Sequence, residues 1–393
     1  MASPTLGVSM IVRDETENLP LSLKPLADVA DDIVVVDTGS KDGTRSLARE
    51  YGARVFDFPW RDDFAAARNQ ALLSARSDYI LWLDADNSLA PEGFLRLKSA
   101  LPPLGGRGAI LMALEKVLPQ GDELWQKRVF PLNGGTRFQG RIHEQLVHGE
   151  DLEIVFTDVT ISHWGYRDAA AARKKGERNL RLLLAAPETL RGDPYYLYQA
   201  GRTLANLRRW DEALSFLQRT IAARSAAPPS LWSHAHLLAA NCHKAQGRAE
   251  AALEVLRRLA RLAPAYGPGR YFLGKFLYAE GLADEALAEL SAASALSLED
   301  RVWGANAPQM EFTCLSLLAK ILRDRGEGLK ATAFLERALR LFPAHPEPRV
   351  ALAEICLAEK KLSAAADHLR LALRDAPHHR RARALFALAS EEA

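Results

Sequence analysis

Two carboxylates that follow an apolar run carry the clearest chemical signal in this sequence. Residues 79–83 are short enough to form a buried parallel strand, and Asp84 and Asp86 come directly after them. In an extended chain, residues i and i+2 leave the same face, roughly 6–7 Å apart. Ligands of open α/β sheets bind beyond the carboxyl ends of the strands, so this pair suits a divalent cation that bridges nucleotide phosphates. The alternative is a polar strand end whose acids only cap the next segment.

Polar side chains also end two earlier apolar runs. Residues 7–12 lead into residues 13–15, Arg-Asp-Glu, and residues 32–37 lead into residues 38–40, Thr-Gly-Ser. The Gly-x-Gly-x-x-Gly phosphate loop is absent from the sequence. Acids at several strand ends fit recognition of a ribose and base, with a metal rather than glycine backbone holding the diphosphate. Turn chemistry alone would also explain Asp37.

The elements around these strand ends alternate between strand and helix. The pattern predicts strands over residues 7–12, 32–37, 54–58 and 79–83, with helices beginning near Asn18 and spanning 45–51 and 64–76. This spacing predicts an α/β fold with a mainly parallel, Rossmann-like sheet. After Asp86 the pattern changes to a hairpin, with strands over 108–118 and 123–130 around a turn at 119–122, and a further strand over 154–161.

Four segments in this part of the chain resemble glycosyltransferase family 2. They are residues 9–15, 33–44, 63–69 and 83–86, in the order in which that family has them. The similarity covers residues 5–165 and implies a GT-A type fold. It extends to bacterial members that carry tetratricopeptide repeats and to the related sublancin-type peptide S-glycosyltransferases. These motifs are specific for the donor site and do not identify the sugar or the acceptor.

The resemblance implies a nucleotide-sugar donor, most simply a UDP-sugar, and a bound Mn²⁺ or Mg²⁺. It puts Asp84 at the ribose or sugar and on the metal, and Asp86 on the metal as a catalytic residue. Family members often have an acid where this chain has Asn87. This difference leaves the metal pair of Asp84 and Asp86 intact. The implied donor-binding residues are Val12, Arg13, Asp14, Glu15, Asp37, Gly39, Ser40, Arg68, Asp84, Ala85 and Asp86.

His163 is the candidate for a third metal ligand. It follows the predicted strand over 154–161, and many GT-A enzymes have a metal-binding histidine after the last strand of the sheet. Imidazole together with carboxylate favours Mn²⁺ over Mg²⁺. The alternative is a structural histidine, which is how we interpret His148 and His234.

An inverting transfer needs a carboxylate that takes a proton from the acceptor. Glu144, in the polar loop after the predicted hairpin, is the preferred base, and Asp122 and Glu123 are weaker candidates. The alternative is that His143 and Glu144 only organise the acceptor loop, with Arg141 as the ion-pair partner of Glu144.

Charge divides the 393 residues into two halves of opposite sign. Residues 1–165 contain 17 Lys and Arg against 24 Asp and Glu, whereas residues 166–393 contain 34 against 25. The basic surplus is spread along predicted helices, so it indicates a solvated helical surface rather than a nucleic-acid site. Cys242, Cys314 and Cys356 lack metal-ligand spacing and read as small core residues.

The second half repeats a helix–turn–helix pattern. Ala213, Ala252, Ala286, Ala331 and Ala365 each open a second helix, and two of their intervals equal the 34-residue tetratricopeptide period. We therefore predict a GT-A domain over 1–165, a helical connector over 166–192, and an all-α array of about five repeats over 193–393. Such arrays form a concave groove that binds peptides or neighbouring domains.

The combined expectation is a metal-dependent, inverting hexosyl- or N-acetylhexosaminyl-transferase with a protein or peptide acceptor held by the repeats. The start of the sequence shows no signal peptide and no stretch reaches a membrane-spanning length, so we expect a cytoplasmic protein. The repeats could instead pair two copies of the chain. The alternatives are a transferase acting on a cell-envelope or lipid-linked glycan, and a catalytically inactive repeat scaffold with a sugar-nucleotide-binding domain.

Overall fold

The computed structural model describes residues 3–391, apart from 104, 106–107, 119–121, 133–134, 150, 165–168, 186–187 and 300–306. The described residues form two compact units, which divide after Ala227. Among these residues, no helix combines the length and the apolar character needed to cross a bilayer. The predicted turn at 119–122 lies largely outside the described residues.

The first unit is built on an eight-stranded mixed sheet. Its strands, in chain order, are Leu6–Val12 (β1), Asp32–Asp37 (β2), Arg54–Asp57 (β3), Tyr79–Trp82 (β4), Asn87–Ser88 (β5), Ala109–Leu118 (β6), Asp122–Pro131 (β7) and Glu153–Trp164 (β10). A separate two-stranded sheet pairs Arg137–Gln139 (β8) with Gln145–Val147 (β9). The helices are Leu19–Ser22 (α1), Thr44–Glu50 (α2), Phe64–Ser74 (α3), Pro91–Ser99 (α4), Ala169–Leu184 (α5), Glu188–Arg191 (α6), Pro194–Asn206 (α7) and Trp210–Ala222 (α8).

The strand order is β3-β2-β1-β4-β7-β6-β10-β5. Strands β1 to β4 are parallel, as the alternating pattern predicts, and β6 also runs parallel to β10. Strand β7 lies between β4 and β6 and is antiparallel to both. The predicted α/β class is therefore confirmed, and the sheet is mixed because the hairpin of β6 and β7 enters its middle. The parallel ends of β1, β2 and β4 bring the three polar segments to one edge.

Helix α3 brings the charged residue Arg68 close to this edge of the sheet. Asp63 begins the helix by accepting a hydrogen bond from the backbone N–H of Ala66 (2.9 Å). Alanines at 65, 67 and 71 are buried, and their small side chains allow close packing against the sheet. The helix ends at Ser74 rather than at the predicted Arg76, because Ala75 adopts an extended conformation.

His163 lies inside a strand rather than after one. The predicted strand over 154–161 is longer in the structure and continues to Trp164. His163 is paired with Val117 of β6 on one side and with Asn87 of β5 on the other. The short strand β5, which the sequence pattern does not reveal, holds the segment after Asp86 against β10.

Helices α5 to α8 belong to the same compact unit as the sheet. Ile142 shares a buried apolar cluster with Leu182 and Leu183 of α5 and Ala200 of α7. Phe64 and Phe216 pack against this cluster. The first predicted repeat thus shares a core with the α/β domain. The two compact units divide after Ala227, which is later in the chain than the predicted domain boundaries after residues 165 and 192.

Among the described residues of the second unit, eight helices pack as four pairs of chain neighbours, and the last helix packs against the one before it. They are Pro229–Ala245 (α9), Ala249–Leu262 (α10), Gly267–Ala279 (α11), Ala283–Ser294 (α12), Ala307–Asp324 (α13), Gly328–Leu341 (α14), Pro346–Ala358 (α15), Leu362–Asp375 (α16) and Arg380–Glu391 (α17). The five alanines used to find the repeat occupy the fourth position of α8, α10, α12, α14 and α16, and all five are fully buried.

The turn before each of these second helices contains one residue with positive φ. Two residues before the helix, glycine occupies this position at 247, 281 and 326, with φ between +73° and +79°. Arg208 (φ +60°) and Lys360 (φ +58°) occupy it in the other two repeats. A residue with a Cβ is disfavoured in this conformation, so these two turns are strained relative to the glycine turns.

We predict that Lys360→Gly raises the free energy of unfolding by about 1 kcal/mol, because glycine adopts positive φ without steric cost. Lys360→Ala is the matched control, since alanine removes the exposed side chain but keeps the Cβ. Chemical denaturation followed by circular dichroism measures both variants. Equal stabilisation by alanine and glycine would contradict a backbone origin.

Candidate active site

The end of β2 forms a tight turn around a buried carboxylate. Asp37 is 1% exposed, and its Oδ1 accepts hydrogen bonds from the backbone N–H groups of Gly39 and Ser40 (both 3.0 Å). Gly39 has φ +109°, which glycine adopts most readily. The other carboxylate oxygen of Asp37 is buried and has no hydrogen-bond partner among the described residues. It is therefore free to accept from a bound molecule.

The segment after β1 is tied to the same turn. The backbone N–H of Asp14 donates to Ser40 Oγ (2.9 Å), and Asp14 Oδ1 accepts from the N–H of Lys41 (2.7 Å). The carbonyl of Val12 accepts from the N–H and the hydroxyl of Thr38 (2.9 and 3.0 Å). The residues predicted at the nucleoside therefore do lie together, with Arg13 exposed at their edge.

Arg68 is the centre of the buried polar network beside this turn. Its side chain is 7% exposed, its Nη2 donates to Asp84 Oδ1 (2.7 Å), and its Nε donates to Glu144. The guanidinium carbon lies 4.2 Å from the ring centroid of Trp82. The two ion pairs join the end of β4 to a loop that is distant in sequence. Removing one partner of a buried pair typically costs about 3–5 kcal/mol, so Arg68 is expected to hold both acids firmly.

Asp84 faces a second guanidinium, that of Arg128. Burial acts to raise the pKa of Asp84, but the charges of Arg68 and Arg128 outweigh it and lower the pKa to about 2. Arg128 Nη1 lies 3.8 Å from Asp84 Oδ2 and donates to the carbonyl of Trp82 (3.3 Å). Asp84 is therefore ionised at neutral pH and held by arginines.

Arg128 and Glu115 form a buried ion pair beneath the strand ends that the sequence analysis missed. Arg128 is 2% exposed, and its Nη2 donates to Glu115. The two residues lie on β7 and β6, which are adjacent antiparallel strands. Glu115 and Arg128 are charged residues at inward positions of the predicted hairpin. Because charged residues are rarely buried without a partner, their positions could have indicated the ion pair.

Asp86 and His163 lie close to each other at the other side of Asp84. His163 Nδ1 is 3.5 Å from Asp86 Oδ1 and 3.7 Å from Glu115 Oε1. Burial and the charge of Asp84 raise the pKa of Asp86, while His163 and Lys175 act against this rise. A bound cation would oppose this rise and favour the ionised carboxylate of Asp86.

The three predicted metal ligands differ in how they suit a cation. Asp86 and His163 lie 3.5 Å from each other, whereas Asp84 is paired with Arg68 and lies 3.8 Å from Arg128. Within the described part of the chain, no three acidic, histidine or cysteine side chains are grouped closely enough to hold an ion as they stand. The metal set of Asp84, Asp86 and His163 thus stays a prediction.

Asn87 has a structural role in this geometry. It is fully buried, and its Oδ1 accepts from the backbone N–H of Asp84 (3.0 Å). Its Nδ2 lies 3.1 Å from His163 Nδ1. The amide therefore fixes the Asp84–Asp86 turn and the imidazole together, at the position where the family often has an acid.

Helix α5 contributes a cation that the sequence analysis assigned only to a connector. Burial raises the pKa of Glu15 and Asp86 and lowers that of His143, and the positive charge of Lys175 favours a lower pKa at all three. Arg178, one turn further along α5, lies 5.2 Å from the ring of Phe64 at the start of α3.

The loop that carries Glu144 is held by Arg68 and other residues of α3 rather than by an ion pair with Arg141. The predicted Arg141–Glu144 pair is replaced by the Arg68–Glu144 pair, and the carbonyl of Arg141 accepts from the N–H of Phe64 (2.8 Å). Asn69 exchanges two hydrogen bonds with the backbone of Phe138 (2.8 and 2.9 Å), which fixes β8 at the start of the loop. Glu144 therefore lies in the network of Arg68 and Asp84.

The other candidate bases lie elsewhere. Glu123 pairs with Lys116 across the β6–β7 hairpin (3.4 Å), and the side chain of Asp122 lies outside the described residues. His148 lies 3.0 Å from Lys127 Nζ. Ala85 is buried between the two aspartates.

Two family models match different parts of the chain. The model of glycosyl transferase family 2 matches residues 8–138, and a tetratricopeptide repeat model matches residues 322–389. The first match covers β1 to β8, which includes Asp37, Arg68, Asp84 and Asp86.

Similar proteins include a TPR repeat-containing protein of Synechococcus elongatus, 36% identical over 188 residues, which are 45% of this chain and 46% of the relative. The SPbeta prophage-derived glycosyltransferase SunS of Bacillus subtilis is 27% identical over 236 residues, 56% of this chain and 54% of that protein. An uncharacterized glycosyltransferase of Rickettsia bellii is 30% identical over 87 residues, 22% of this chain and 29% of the relative. The chain thus spans about half the length of the first two relatives. It carries a glycosyltransferase family 2 domain at its N-terminus and tetratricopeptide repeats at its C-terminus.

Proposed function

We propose that this protein is a metal-dependent, inverting glycosyltransferase that takes a sugar from a UDP-sugar. The observation that carries the proposal is the convergence of Asp37, Asp84, Asp86 and Glu144 at one edge of the sheet, with Arg68 joining two of these acids. The family 2 model covers the first three acids, and two relatives are named glycosyltransferases.

The nucleoside would bind at the ends of β1 and β2. The unpaired oxygen of Asp37 is an acceptor in a buried setting, which suits an N–H or hydroxyl donor of the base or ribose. Arg13, Asp14 and Glu15 would line the same cleft, because Asp14 and Glu15 are tied to the β2 turn and to α2. Asp84, ionised and fixed by two arginines, would orient the ribose or the transferred sugar.

Asp86 and His163 are the residues that would hold a divalent cation. Their geometry and the raised pKa of Asp86 fit a site that gains from a positive charge. When bound, such an ion supplies charge stabilisation to the leaving diphosphate. Lys175 adds a protein cation on the same side.

Glu144 would accept the proton of the attacking group. Its side chain is 8% exposed and is oriented by Arg68, which places the carboxylate within the network of Asp84. The hydrogen bond from Arg68 Nε occupies one carboxylate oxygen, so the ion pair would have to loosen if that oxygen were to take up the proton. The alternative is that Glu144 only fixes the shape of its loop through the ion pair with Arg68.

A protein or peptide acceptor fits the helical repeats best. Stacked repeats present extended surfaces suited to peptide binding. The first repeat shares a buried cluster with Ile142, two residues before Glu144. An acceptor held at the first repeat would therefore lie near the loop of the proposed base.

The donor is tested by thermal shift with UDP-glucose and UDP-N-acetylglucosamine, with and without Mn²⁺. We expect one UDP-sugar to raise the melting temperature by about 2 °C or more when Mn²⁺ is present, because ligand binding stabilises the folded state. Asp86→Asn should remove the Mn²⁺-dependent part of the shift and lower turnover about 100-fold.

Asp158→Asn is the matched control, because Asp158 is 76% exposed and pairs with Arg96 on the surface. It should behave like the wild type. Full metal-dependent binding and turnover in the Asp86→Asn protein would count against the enzyme assignment.

The base is tested with Glu144→Gln, which keeps a hydrogen-bond acceptor for Arg68 but cannot take up a proton. We expect kcat to fall about 100-fold or more while UDP-sugar binding is unchanged. Glu123→Gln, at the weaker candidate position, should have no such effect. If Glu144→Gln is active and only Glu144→Ala fails, Glu144 is a clamp and not the base.

A further inference from the structure

His143, which directly precedes Glu144, has a strained backbone. Its φ is +50°, a conformation that residues with a Cβ rarely adopt. Its carbonyl accepts hydrogen bonds from Tyr195 Oη of α7 (3.3 Å) and from Gln145 Nε2 (3.2 Å). Backbone strain of this kind persists where the surroundings fix it, and it is frequent at functional sites.

The rest of the loop is fixed equally well. Gly140 has φ +104°, and a Cβ at this position would lie 2.5 Å from Tyr196 Oη. Ile142 is buried in the cluster with Leu182 and Leu183 of α5. Helices α5 and α7 therefore hold the backbone of His143 from one side, and α3 holds it through the Phe64–Arg141 hydrogen bond.

The imidazole of His143 has an unused polar atom. Its Nε2 is buried and has no hydrogen-bond partner among the described residues. Burial, together with the charges of Arg202 and Lys175, lowers the pKa of His143 to about 3, so the ring is neutral at pH 7. A neutral imidazole has one nitrogen that donates and one that accepts, which matches a hydroxyl group.

We propose that His143 binds a hydroxyl group of the reacting molecules through Nε2, beside the carboxylate of Glu144. This inference rests on the proposed function, since it deepens the description of the same site. The hydroxyl could belong to the transferred sugar or to the acceptor. The positive charge of Lys175 acts on both His143 and Asp86, so both groups lie within range of one cation.

The test compares His143→Asn with His143→Gln. Asparagine tolerates positive φ, but its short amide cannot reach the position of Nε2, whereas glutamine can bring its amide there. The assays are hydrolysis of UDP-glucose or UDP-N-acetylglucosamine with water as acceptor, transfer to a serine-containing model peptide, and the melting temperature of each variant. His148→Asn is the matched control, because it makes the same change five residues along the chain.

We expect His143→Asn to keep its melting temperature within about 2 °C of the wild type and to lose tenfold or more in turnover. His143→Gln should recover part of this loss, and His148→Asn should match the wild type. A fall in both hydrolysis and transfer would indicate a sugar hydroxyl, and a fall in transfer alone would indicate an acceptor hydroxyl.

Two results would overturn the inference. One is turnover of His143→Asn within twofold of the wild type, and the other is an equal loss in both variants that follows a lowered melting temperature. Failure of the proposed function is seen separately, because the wild type would then neither bind nor hydrolyse any UDP-sugar, and the inference would fall with it.

Discussion

The candidate site depends on the burial of one positive charge. The guanidinium of Arg68 is shared by Asp84 and Glu144 and rests near the ring of Trp82. A buried guanidinium is stable only when acids balance its charge, so Asp84 and Glu144 cannot move independently of Arg68. The alanines of α3 allow this helix to approach the sheet, and the cap at Asp63 fixes where the helix begins. A strand end, a helix and a loop thereby act as one rigid group.

The sequence is informative where local pattern decides the structure. Strand β2 is found at the predicted residues 32–37, because its β-branched run has a single reasonable conformation. The polar segments after β1, β2 and β4 meet because parallel strands end at one edge, a consequence of topology alone. Partners separated by many residues are beyond such reasoning. Arg68 and Glu144 are 76 residues apart, and nothing in the spacing identifies one as the partner of the other.

The same limit explains why the sequence does not reveal the roles of Asn87 and Lys175. Asn87 looked like a departure from the family pattern, yet it locks the aspartate turn to His163 through a two-residue strand that has no sequence signature. Lys175 looked like one charge among many on a basic helix. Its role follows only from the packing of α5 against the first repeat and α3. Conversely, the alanine period identified five buried positions in the helices, since small residues are required where helices approach closely.

The shared cluster of Ile142, Leu182, Leu183 and Ala200 has a consequence for how the chain can be recombined. A chimera that joins this α/β domain to the repeats of another protein would lose apolar contacts if it were cut near residue 193, where the repeat pattern begins. A junction after Ala227 keeps α5 to α8 with the sheet and leaves the loop of Glu144 supported. Exchange of repeat helices between such proteins is therefore best attempted from the second repeat onward, with the first repeat retained beside the α/β domain.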